Sequence, residues 1–406
     1  MHRVKMEDWI CRVEGISSLT RQNLEELQLK KLNRMLRHLA EKGGIWEALP
    51  QELSSLSQLQ TLPFTTPQML REHPGQFLNC SQSEVSRVIS EATSGTTGGA
   101  KRVFYSDGDL QNTVDFFASG ISEMLAPGEK CLIGFPVTGP SGLGDLIVKA
   151  VEKLGAVPIR TSPSMTYEDY RQLLIAYQPE TYIGFPVPLL SILRLYGPDF
   201  PVKRALISGD SCPRAVWDAL ARQVRLYPHY GSRETALGGA VTCPAFEGMH
   251  LRENHILAEI IDEKGSPVPE GTWGELVITT IGLEAMPLLR YRTGDLSRFL
   301  AGPCPCGGVT RRLDRVVRQE KGPVSMEKLD GTLFSLPELI DYRAIFNGSL
   351  QIEAYTSGKC PGLQDTVQRL YPNLRIQVLQ RPALWQGSPA YPGKRHLIIL
   401  TKENCL

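Results

Sequence analysis

A run rich in serine, threonine and glycine lies near residue 95, and its composition suits the binding of phosphate. The main-chain N–H groups of such a run can surround an anion, and its hydroxyls and the following Lys101 add donors and positive charge. Runs of this composition also occur as flexible loops, so the run by itself leaves both interpretations open. Its residues are Thr93, Ser94, Gly95, Thr96, Thr97 and Gly98.

A Walker A loop, the phosphate-binding loop of many kinases and NTPases, is the main alternative for this run. It requires the pattern G-x-x-x-x-G-K-[ST], in which the last hydroxyl binds magnesium. Counting from Gly95, Ala100 occupies the position of the second glycine, and Arg102 occupies the position of that hydroxyl. The sequence therefore excludes a Walker A loop at this place.

The same run resembles the phosphate loop of the adenylate-forming superfamily, which includes acyl-CoA synthetases and luciferases. Three further segments resemble motifs of that superfamily and follow in the family's order. They are Tyr230-Gly231-Ser232-Arg233-Glu234, Tyr291-Arg292-Thr293-Gly294-Asp295-Leu296 and Arg312-Leu313-Asp314. Four matches in the same order indicate a relationship that a single glycine-rich run does not.

The resemblance implies a site for ATP and Mg²⁺. In the family, the residue at the position of Tyr230 packs on adenine, that of Glu234 helps to hold magnesium, and that of Asp295 binds the ribose hydroxyls. Arg312 and Asp314 match the hinge between two domains. Beyond the loop, the resemblance assigns ATP or phosphate contacts to Tyr230, Gly231, Ser232, Arg233, Asp295 and Arg312.

The chemistry of such an enzyme requires positive charge at the reacting oxygens. A carboxylate is a poor electrophile, and its conversion to an acyl adenylate supplies a good leaving group. In the family, a lysine near the C-terminus delivers this charge when the small domain swings in, and Gly393-Lys394 resembles the segment that carries it. The resemblance therefore implies three catalytic residues, Lys394, Glu234 and Lys101.

The resemblance narrows to the phenylacetate–CoA ligase branch, and residues 274–277 and 287–293 are among the stretches that carry it. It implies activation of a carboxylic acid to acyl-AMP with release of pyrophosphate, followed by transfer to a thiol, with coenzyme A as the expected acceptor. Two alternatives stay open. One is an acyl-protein synthetase whose acceptor is a protein thiol, and the other is a non-catalytic nucleotide-binding homologue. The intact Lys101, Glu234, Asp295 and Lys394 weigh against the non-catalytic homologue.

Members of this branch often carry a structural zinc site, and the resemblance implies one here. The expected ligands are Cys243, His250, Cys304 and Cys306. Three thiolates and one imidazole would close a tetrahedral shell, which is typical of structural rather than catalytic zinc. His255 is the alternative histidine ligand, and free thiols in a turn are the alternative to any metal.

The resemblance also places an acyl pocket at three segments with strand-like starts. The residues expected to line it are Phe135, Val137, Thr138, Phe185, Ser208 and Gly209. The branch prefers aryl or arylacetic acids, which apolar walls would suit. Glycine and proline at strand ends favour turns under any interpretation, so strand ends packed into a core are the alternative.

The sequence departs from the family pattern in three places, one of which is Gly99-Ala100, where proline is common in the loop. Arg233 stands where a threonine or serine usually contacts the α-phosphate, although an arginine can still donate to phosphate. Arg311 stands where the hinge usually has a glycine, and it restricts the freedom of the backbone there. These departures indicate a specialised substrate or acceptor rather than loss of the chemistry.

Short apolar runs alternate with helical stretches between residues 131 and 208, which predicts a doubly wound parallel sheet. The runs 256–261 and 274–280 predict an antiparallel pair, and short strands with two helices follow residue 314. We therefore expect an α/β fold with mixed sheets. A large domain at 1–311, with a helical segment at 1–75, precedes a small mobile α+β domain at 312–406.

The composition fits a globular protein that acts on a small molecule. Hydrophobic residues make up 42% and charged residues 21%, and the net charge is +1. So small a net charge argues against nucleic acid or an anionic membrane as partner. The start of the sequence has no signal-peptide pattern, and the nine scattered cysteines do not form a disulfide pattern. We expect a cytoplasmic enzyme with a small carboxylic acid substrate, and monomer and homodimer both stay open.

Overall fold

The computed structural model describes residues 2–91, 101–320, 322–383 and 392–400. The α-helices in these ranges are α1 Lys5–Glu14, α2 Arg21–Lys42, α3 Pro67–Glu72, α4 Asp107–Ile121, α5 Leu143–Lys153, α6 Tyr167–Tyr177, α7 Pro186–Tyr196, α8 Arg214–Ala221, α9 Met326–Leu333 and α10 Leu363–Leu370. Short 3-10 helices lie at Gly44–Trp46, Leu56–Thr61, Pro74–Phe77, Gln82–Glu84 and Arg233–Thr235.

The strands of the described ranges are β1 Arg87–Glu91, β2 Lys101–Tyr105, β3 Lys130–Ile133, β4 Val157–Ile159, β5 Thr181–Gly184, β6 Arg204–Ile207, β7 Arg225–Tyr230, β8 Ala240–Thr242, β9 Met249–Leu251, β10 Ile256–Ile261, β11 Gly274–Thr280, β12 Tyr291–Ser297, β13 Arg312–Leu313, β14 Val317–Arg318, β15 Leu339–Phe346, β16 Leu350–Thr356, β17 Ile376–Pro382 and β18 Ile398–Ile399. Before β1 the described chain has helices and none of these strands, and from β2 to β7 strands alternate with helices.

Two compact units divide the described residues. The first contains residues 2–91, 101–123 and 228–319, and the second contains residues 124–227 with the described residues from 320 to 400. The chain passes from the second unit back into the first within β7. Residues 312–319 group with the first unit, and the domain boundary expected at residue 312 stays a prediction.

The first unit is built on antiparallel sheets. Strands β1 and β2 form a two-stranded pair, β10, β11, β12 and β14 form a second sheet in that order, and the end of β7 pairs with β8, followed by β9 and β13. Helix α2 packs its leucines inward and begins with a capping box, in which the Thr20 hydroxyl accepts from the Asn23 N–H at 3.2 Å. The antiparallel pairing predicted for β10 and β11 is confirmed.

The second unit contains the predicted parallel sheet, with β4, β3, β5 and β6 side by side. Strands β17, β16, β15 and β18 form a mixed sheet after residue 320. One hydrophobic core joins these two parts, since Val187 and Leu190 of α7 pack in the same cluster as Leu339 and Ile352. The Ser191 hydroxyl also donates to the Ile340 carbonyl at 2.6 Å.

The alternation of strands and helices predicted between residues 131 and 208 is confirmed, with β3, β4, β5 and β6 separated by α5, α6 and α7. Among the strands after residue 314, β15 and β16 are longer than the short strands expected, at eight and seven residues, whereas β14 and β18 have two residues each. In the part of the chain that the structure describes, no helix has both the length and the apolar character needed to cross a bilayer.

Candidate functional site

The phosphate-loop residues Thr93 to Gly98 lie outside the described residues. Their flanks form an antiparallel pair, in which Glu91 of β1 is opposite Lys101 of β2. The run therefore connects two adjacent strand ends, and Lys101 stands at the point where the chain returns to the sheet.

Lys101 lies against one of the other predicted site residues. Its ammonium contacts the carboxylate of Glu234, and the Tyr291 hydroxyl donates to Oε1 of the same carboxylate at 3.0 Å. Glu234 is buried. Burial disfavours its ionised form, but the charge of Lys101 and the two hydrogen bonds outweigh burial, so the pKa of Glu234 lies below its ordinary value. Glu234 is therefore kept ionised beside Lys101 of β2.

Asp295 lies on the same face of β12 as Tyr291. The two residues are four positions apart on a strand whose burial alternates, so their side chains point to one side. Asp295 Oδ2 accepts from the Tyr230 hydroxyl at 3.0 Å, and Oδ1 accepts from Arg318 Nη1 at 3.3 Å. Burial raises the pKa of Asp295, and Arg318 and Tyr230 partly offset this. Tyr230 and Asp295, from two separate motifs, are thus brought together.

The conformation of the turn after β7 requires a glycine at position 231. A side chain at Gly231 would place its Cβ 2.0 Å from the Leu237 carbonyl oxygen, so only glycine permits this approach. The Ser232 N–H donates to the Thr235 hydroxyl at 2.9 Å. Arg233 presents its carbonyl to the Tyr105 hydroxyl at 2.5 Å. These bonds hold Glu234 in a short 3-10 turn at the strand end.

Arg312 lies in β13, opposite His250 of β9. Its Nη2 donates to the Gly302 carbonyl at 2.9 Å, and its Nη1 lies 3.4 Å from Glu247 Oε2. Among the described residues it therefore contacts the loop before Cys304, and its expected contact with ATP stays a prediction.

The hinge residues are held by contacts of the first unit. Asp314 Oδ2 accepts from Arg298 Nε at 2.8 Å, and the Arg311 guanidinium lies 3.5 Å from the centroid of the Phe299 ring. Arg311 Nη2 also contacts Glu270 Oε1 at 3.2 Å. The hinge role of Asp314 stays a prediction.

The four predicted zinc ligands form one buried cluster. Their ligand atoms all lie within 4.8 Å of one another, with Cys243 Sγ 3.6 Å from Cys304 Sγ and Cys306 Sγ 3.5 Å from His250 Nε2. Two ligands at about 2.3 Å from a tetrahedral ion are separated by about 3.8 Å, so the spacing fits such an ion. His255 is not part of this cluster.

A second layer orients the imidazole of His250. Its Nδ1 lies 2.9 Å from the Thr310 hydroxyl, which donates to Glu7 Oε1 at 2.8 Å. With Nδ1 protonated, Nε2 presents a lone pair to the cluster, which is the tautomer a metal ligand needs. The N–H groups of Val309 and Thr310 donate to the same oxygen of Glu7 at 2.7 and 2.8 Å. The N-terminal helix α1 therefore supports the cluster.

In the second unit, three predicted acyl-pocket residues meet where β3, β5 and β6 end. The rings of Phe135 and Phe185 are edge to face, with centroids 4.7 Å apart. Gly209 has a φ of +79°, and a Cβ there would lie 2.9 Å from both rings. Open α/β sheets bind ligands outside the carboxyl ends of their parallel strands, where these three residues lie.

The other predicted acyl-pocket residues lie in the adjacent loops. The buried Ser208 donates its N–H to the Gly184 carbonyl at 3.1 Å, which keeps its loop in line with β5. The Val137 N–H donates to the Thr161 carbonyl at 2.9 Å. Thr138 is exposed in the loop that follows β3. Their contact with substrate stays a prediction.

Lys394 also lies in the second unit, and its side chain is exposed. The next residue fixes this segment, because the Arg395 N–H donates to Asp210 Oδ2 at 2.8 Å. Asp210 directly follows Gly209. Burial raises the pKa of Asp210, while the Arg395 N–H and the charge of Lys394 oppose that rise. The structure thus brings Lys394 to the strand end that carries Gly209.

Two polar residues of these sites have no motif in the sequence. Arg318 pairs with Asp295 only because β14 is aligned with β12, a register that spacing along the chain does not reveal. Arg395 has partners in the loop after β6, on α9 and on β15, far away in sequence. Its position next to Lys394 was the one available signal.

Comparison with known proteins is consistent with these groups. The AMP-binding enzyme family matches residues 92–285. The phenylacetate-coenzyme A ligase of Aromatoleum evansii is 30% identical over 327 residues, which cover 75% of this chain and 72% of that protein. The phenylacetate-coenzyme A ligase of Thermus thermophilus is 28% identical over 364 residues, which cover 81% and 79%.

Solved structures share the fold. A crystal structure of 2-hydroxyisobutyryl-CoA ligase in the postadenylation state, in complex with R3-HIB-AMP, aligns with a TM-score of 0.74 at 18% identity. The alignment covers 95% of this chain and 91% of that one. The same ligase in the thioesterification state, in complex with 2-HIB-AMP and CoA, aligns with a TM-score of 0.68 over 94% and 90%, also at 18% identity.

Proposed function

Because the chain belongs to the phenylacetate–CoA ligase branch of the adenylate-forming enzymes, we propose that it activates a carboxylic acid with ATP and transfers the acyl group to coenzyme A. In the first step a carboxylate oxygen attacks the α-phosphorus of ATP, and the bond to pyrophosphate breaks. In the second step the thiol of coenzyme A attacks the acyl carbonyl, AMP leaves, and the thiol proton passes to solvent.

One observation carries this proposal: Lys101, Glu234 and Tyr291, from three separate motifs, form one buried contact group. A carboxylate kept ionised there suits Mg²⁺, which would neutralise phosphate charge and align the triphosphate when bound. Lys101 supplies positive charge to the phosphates. Asp295, already bonded to Tyr230, is the residue for the ribose hydroxyls.

Lys394 is the proposed donor of charge to the reacting carboxylate and α-phosphate oxygens. It is exposed, and its segment is held beside Asp210. An ammonium placed where negative charge develops lowers the barrier through electrostatic stabilisation. Its effect therefore belongs to the chemical step rather than to ATP binding.

We propose an aromatic acid as the substrate class. The rings of Phe135 and Phe185 meet edge to face beside Gly209, and both approach so closely that a Cβ at this position would lie 2.9 Å from them. Aromatic substrates favour such ring edges. Two relatives are named phenylacetate-coenzyme A ligase, which is consistent with this class.

We also propose that the cysteine and histidine cluster holds a structural zinc ion. The three thiols and the imidazole suit zinc in number and type, and all four residues are buried. The ion would tie the loop of Cys304 and Cys306 to the strand region of Cys243 and His250. No step of the reaction passes through it.

The test is pyrophosphate release from ATP and Mg²⁺ across phenylacetate, benzoate and aliphatic acids, with and without coenzyme A. We expect release with aromatic acids above the background without acid, and faster turnover with coenzyme A. Release that never exceeds that background would refute the proposal that the protein activates a carboxylic acid. Adenylate formation that coenzyme A never accelerates would refute the proposed acceptor.

A further inference from the structure

A pocket of about 490 Å³ lies in the first unit, and none of its lining residues belongs to the nucleotide, metal or acyl groups above. Its walls are the end of α1, one face of α2, Asn112 of α4, and residues 281–284 after β11, with His255 between them. Pockets for small molecules have volumes of roughly 300 to 1,000 Å³. The pocket therefore has room for a small organic ligand.

The α2 wall of the pocket is strongly basic. It presents Lys30, Lys31, Arg34 and Arg37, whose spacing places them along one side of the helix. Lys31 Nζ is 2.5 Å from Glu14 Oε1 and also donates to the Asn254 carbonyl at 3.0 Å. Lys31 is therefore already satisfied by the protein.

Of the other three cations, Arg37 has a carboxylate partner, and Lys30 and Arg34 have none in the described ranges. Arg37 Nη1 lies 3.3 Å from Glu52 Oε1, with both side chains largely exposed. Neither Lys30 nor Arg34 forms an ion pair with a carboxylate anywhere in the described ranges, and both are exposed. Two neighbouring cations on a concave wall create a positive potential that attracts an anion.

The lining has a net positive charge, which suits an anion. Four cationic side chains and two carboxylates, Glu14 and Glu284, line the pocket, and Glu52, the partner of Arg37, lies outside it. Glu284 is also engaged, because its Oε2 accepts from the Ser106 hydroxyl at 2.6 Å. A phosphate ester carries a charge of about −1.5 to −2 at pH 7, with three acceptor oxygens.

The rest of the lining is apolar or uncharged. Val13, Leu27 and Leu283 line the pocket, and the side chain of Val13 is 45% exposed. Burial, together with the charges of Arg252 and Lys31, lowers the pKa of His255 well below its ordinary value, so its imidazole is neutral. An inorganic ion would leave these apolar surfaces uncovered, whereas a ligand with an organic body would cover them.

We propose that this pocket binds a small organic phosphate. The phosphate group lies between Lys30 and Arg34, and the organic body lies against Val13, Leu27 and Leu283. The lining is separate from the residues proposed to bind ATP and the acid, so the ligand is distinct from these two substrates.

Isothermal titration of the full chain with phenyl phosphate tests this site. We expect binding, and we expect the double variant Lys30→Glu/Arg34→Glu to lower the affinity at least about tenfold, since charge reversal replaces attraction by repulsion. Benzenesulfonate has the same ring and a single charge, and should bind more weakly. The matched control is Arg12→Glu, an exposed cation of α1 that does not line the pocket and should not change the affinity.

Equal affinity of wild type and double variant would overturn the proposal, as would failure of wild type to bind phenyl phosphate at concentrations on the order of 10 mM. If inorganic phosphate binds as tightly as phenyl phosphate, the proposal that the ligand has an organic body is wrong. The double variant should keep acid-dependent pyrophosphate release, because neither residue belongs to the proposed reaction site. Failure of that release in wild type would refute the proposed function and leave the titration result standing.

Discussion

The main-chain N–H of Arg395 donates to Asp210 Oδ2 at 2.8 Å, and this bond ties the segment of Lys394 to the strand end of β6. The side chain of Arg395 strengthens the tie, because its Nε lies 3.0 Å from Asp330 Oδ1 and its guanidinium also contacts Asp341. Arg395 is therefore a positioning residue for its exposed neighbour Lys394.

Asp210→Ala removes this acceptor and should slow adenylate formation about tenfold or more, because misplacement of the ammonium weakens a contact made in the transition state. The KM for ATP should change little. Asp210→Asn keeps an acceptor oxygen and should restore most of the rate. Single-turnover formation of acyl-AMP measures the effect. Equal rates for Asp210→Ala and wild type would contradict the positioning role.

The sequence allowed Lys394 to be inferred only by resemblance, and the only signal for Arg395 was its position next to Lys394. The sequence around Arg395 does not reveal its ion pairs, because its carboxylate partners Asp330 and Asp341 belong to α9 and β15. Local patterns report periodicity and turns. They do not report which side chains two distant elements bring together.

Glu234→Gln tests the proposed magnesium ligand. The amide keeps the shape of the side chain but removes the charge that Lys101 faces. We expect acid-dependent pyrophosphate release to fall at least about 100-fold, with higher magnesium needed for the remaining activity. The control is Glu275→Gln, which removes a partly exposed contact with Arg292 in the same sheet and should leave the rate unchanged. An unaltered magnesium dependence in Glu234→Gln would refute the assignment.

Cys306→Ser tests the metal cluster. Loss of one thiolate should reduce bound zinc below one equivalent and lower the midpoint of thermal unfolding by more than about 5 °C, because metal binding stabilises the folded state. Removal of the metal from the wild-type protein with a chelator should also lower the midpoint of thermal unfolding. Cys80→Ser, a partly buried cysteine outside the cluster, is the control. Full zinc content in Cys306→Ser, or none in wild type, would contradict a zinc site.

Gly209→Ala tests the acyl pocket. A Cβ at this position would lie 2.9 Å from the rings of Phe135 and Phe185, so the rings must shift toward the substrate space. We expect a higher KM for aromatic acids and an unchanged KM for ATP. Gly348→Ala is matched in backbone strain, with a φ of +93°, but its Cβ would meet no atom within 4 Å. Equal KM values for the acid in both variants would show that the rings do not border the substrate.

Part of the fold could be predicted, since apolar runs and turn residues identified the strands β3, β5 and β6 and the helices α5 and α7, but not β4 or α6. The contact between Phe135, Phe185 and Gly209 follows from the parallel order of those strands. Their order in the sheet, and the register that places Arg318 opposite Asp295, depend on long-range pairing. Spacing along one chain does not encode such pairing directly.

The stability of the protein should fall as the pH is lowered below about 6.5, and His255 should carry part of this dependence. Burial first, and then the charges of Arg252 and Lys31, lower the pKa of His255 well below its ordinary value. In the unfolded chain His255 therefore binds a proton near pH 6.5, whereas in the folded chain it stays neutral at that pH, so acid favours unfolding. The slope for one such group is at most about 1.4 kcal/mol per pH unit.

His255→Gln removes this titration and should flatten the curve of unfolding free energy against pH between about pH 6.5 and 5. Urea unfolding at several pH values measures it. The exposed His73 provides the control, since His73→Gln should leave the slope as it is in wild type. An unchanged slope in His255→Gln would mean that other groups carry the acid sensitivity. A neutral His255 also keeps the wall of the basic pocket from gaining a fifth positive charge, so His255→Gln should leave phenyl phosphate binding at neutral pH largely unaltered.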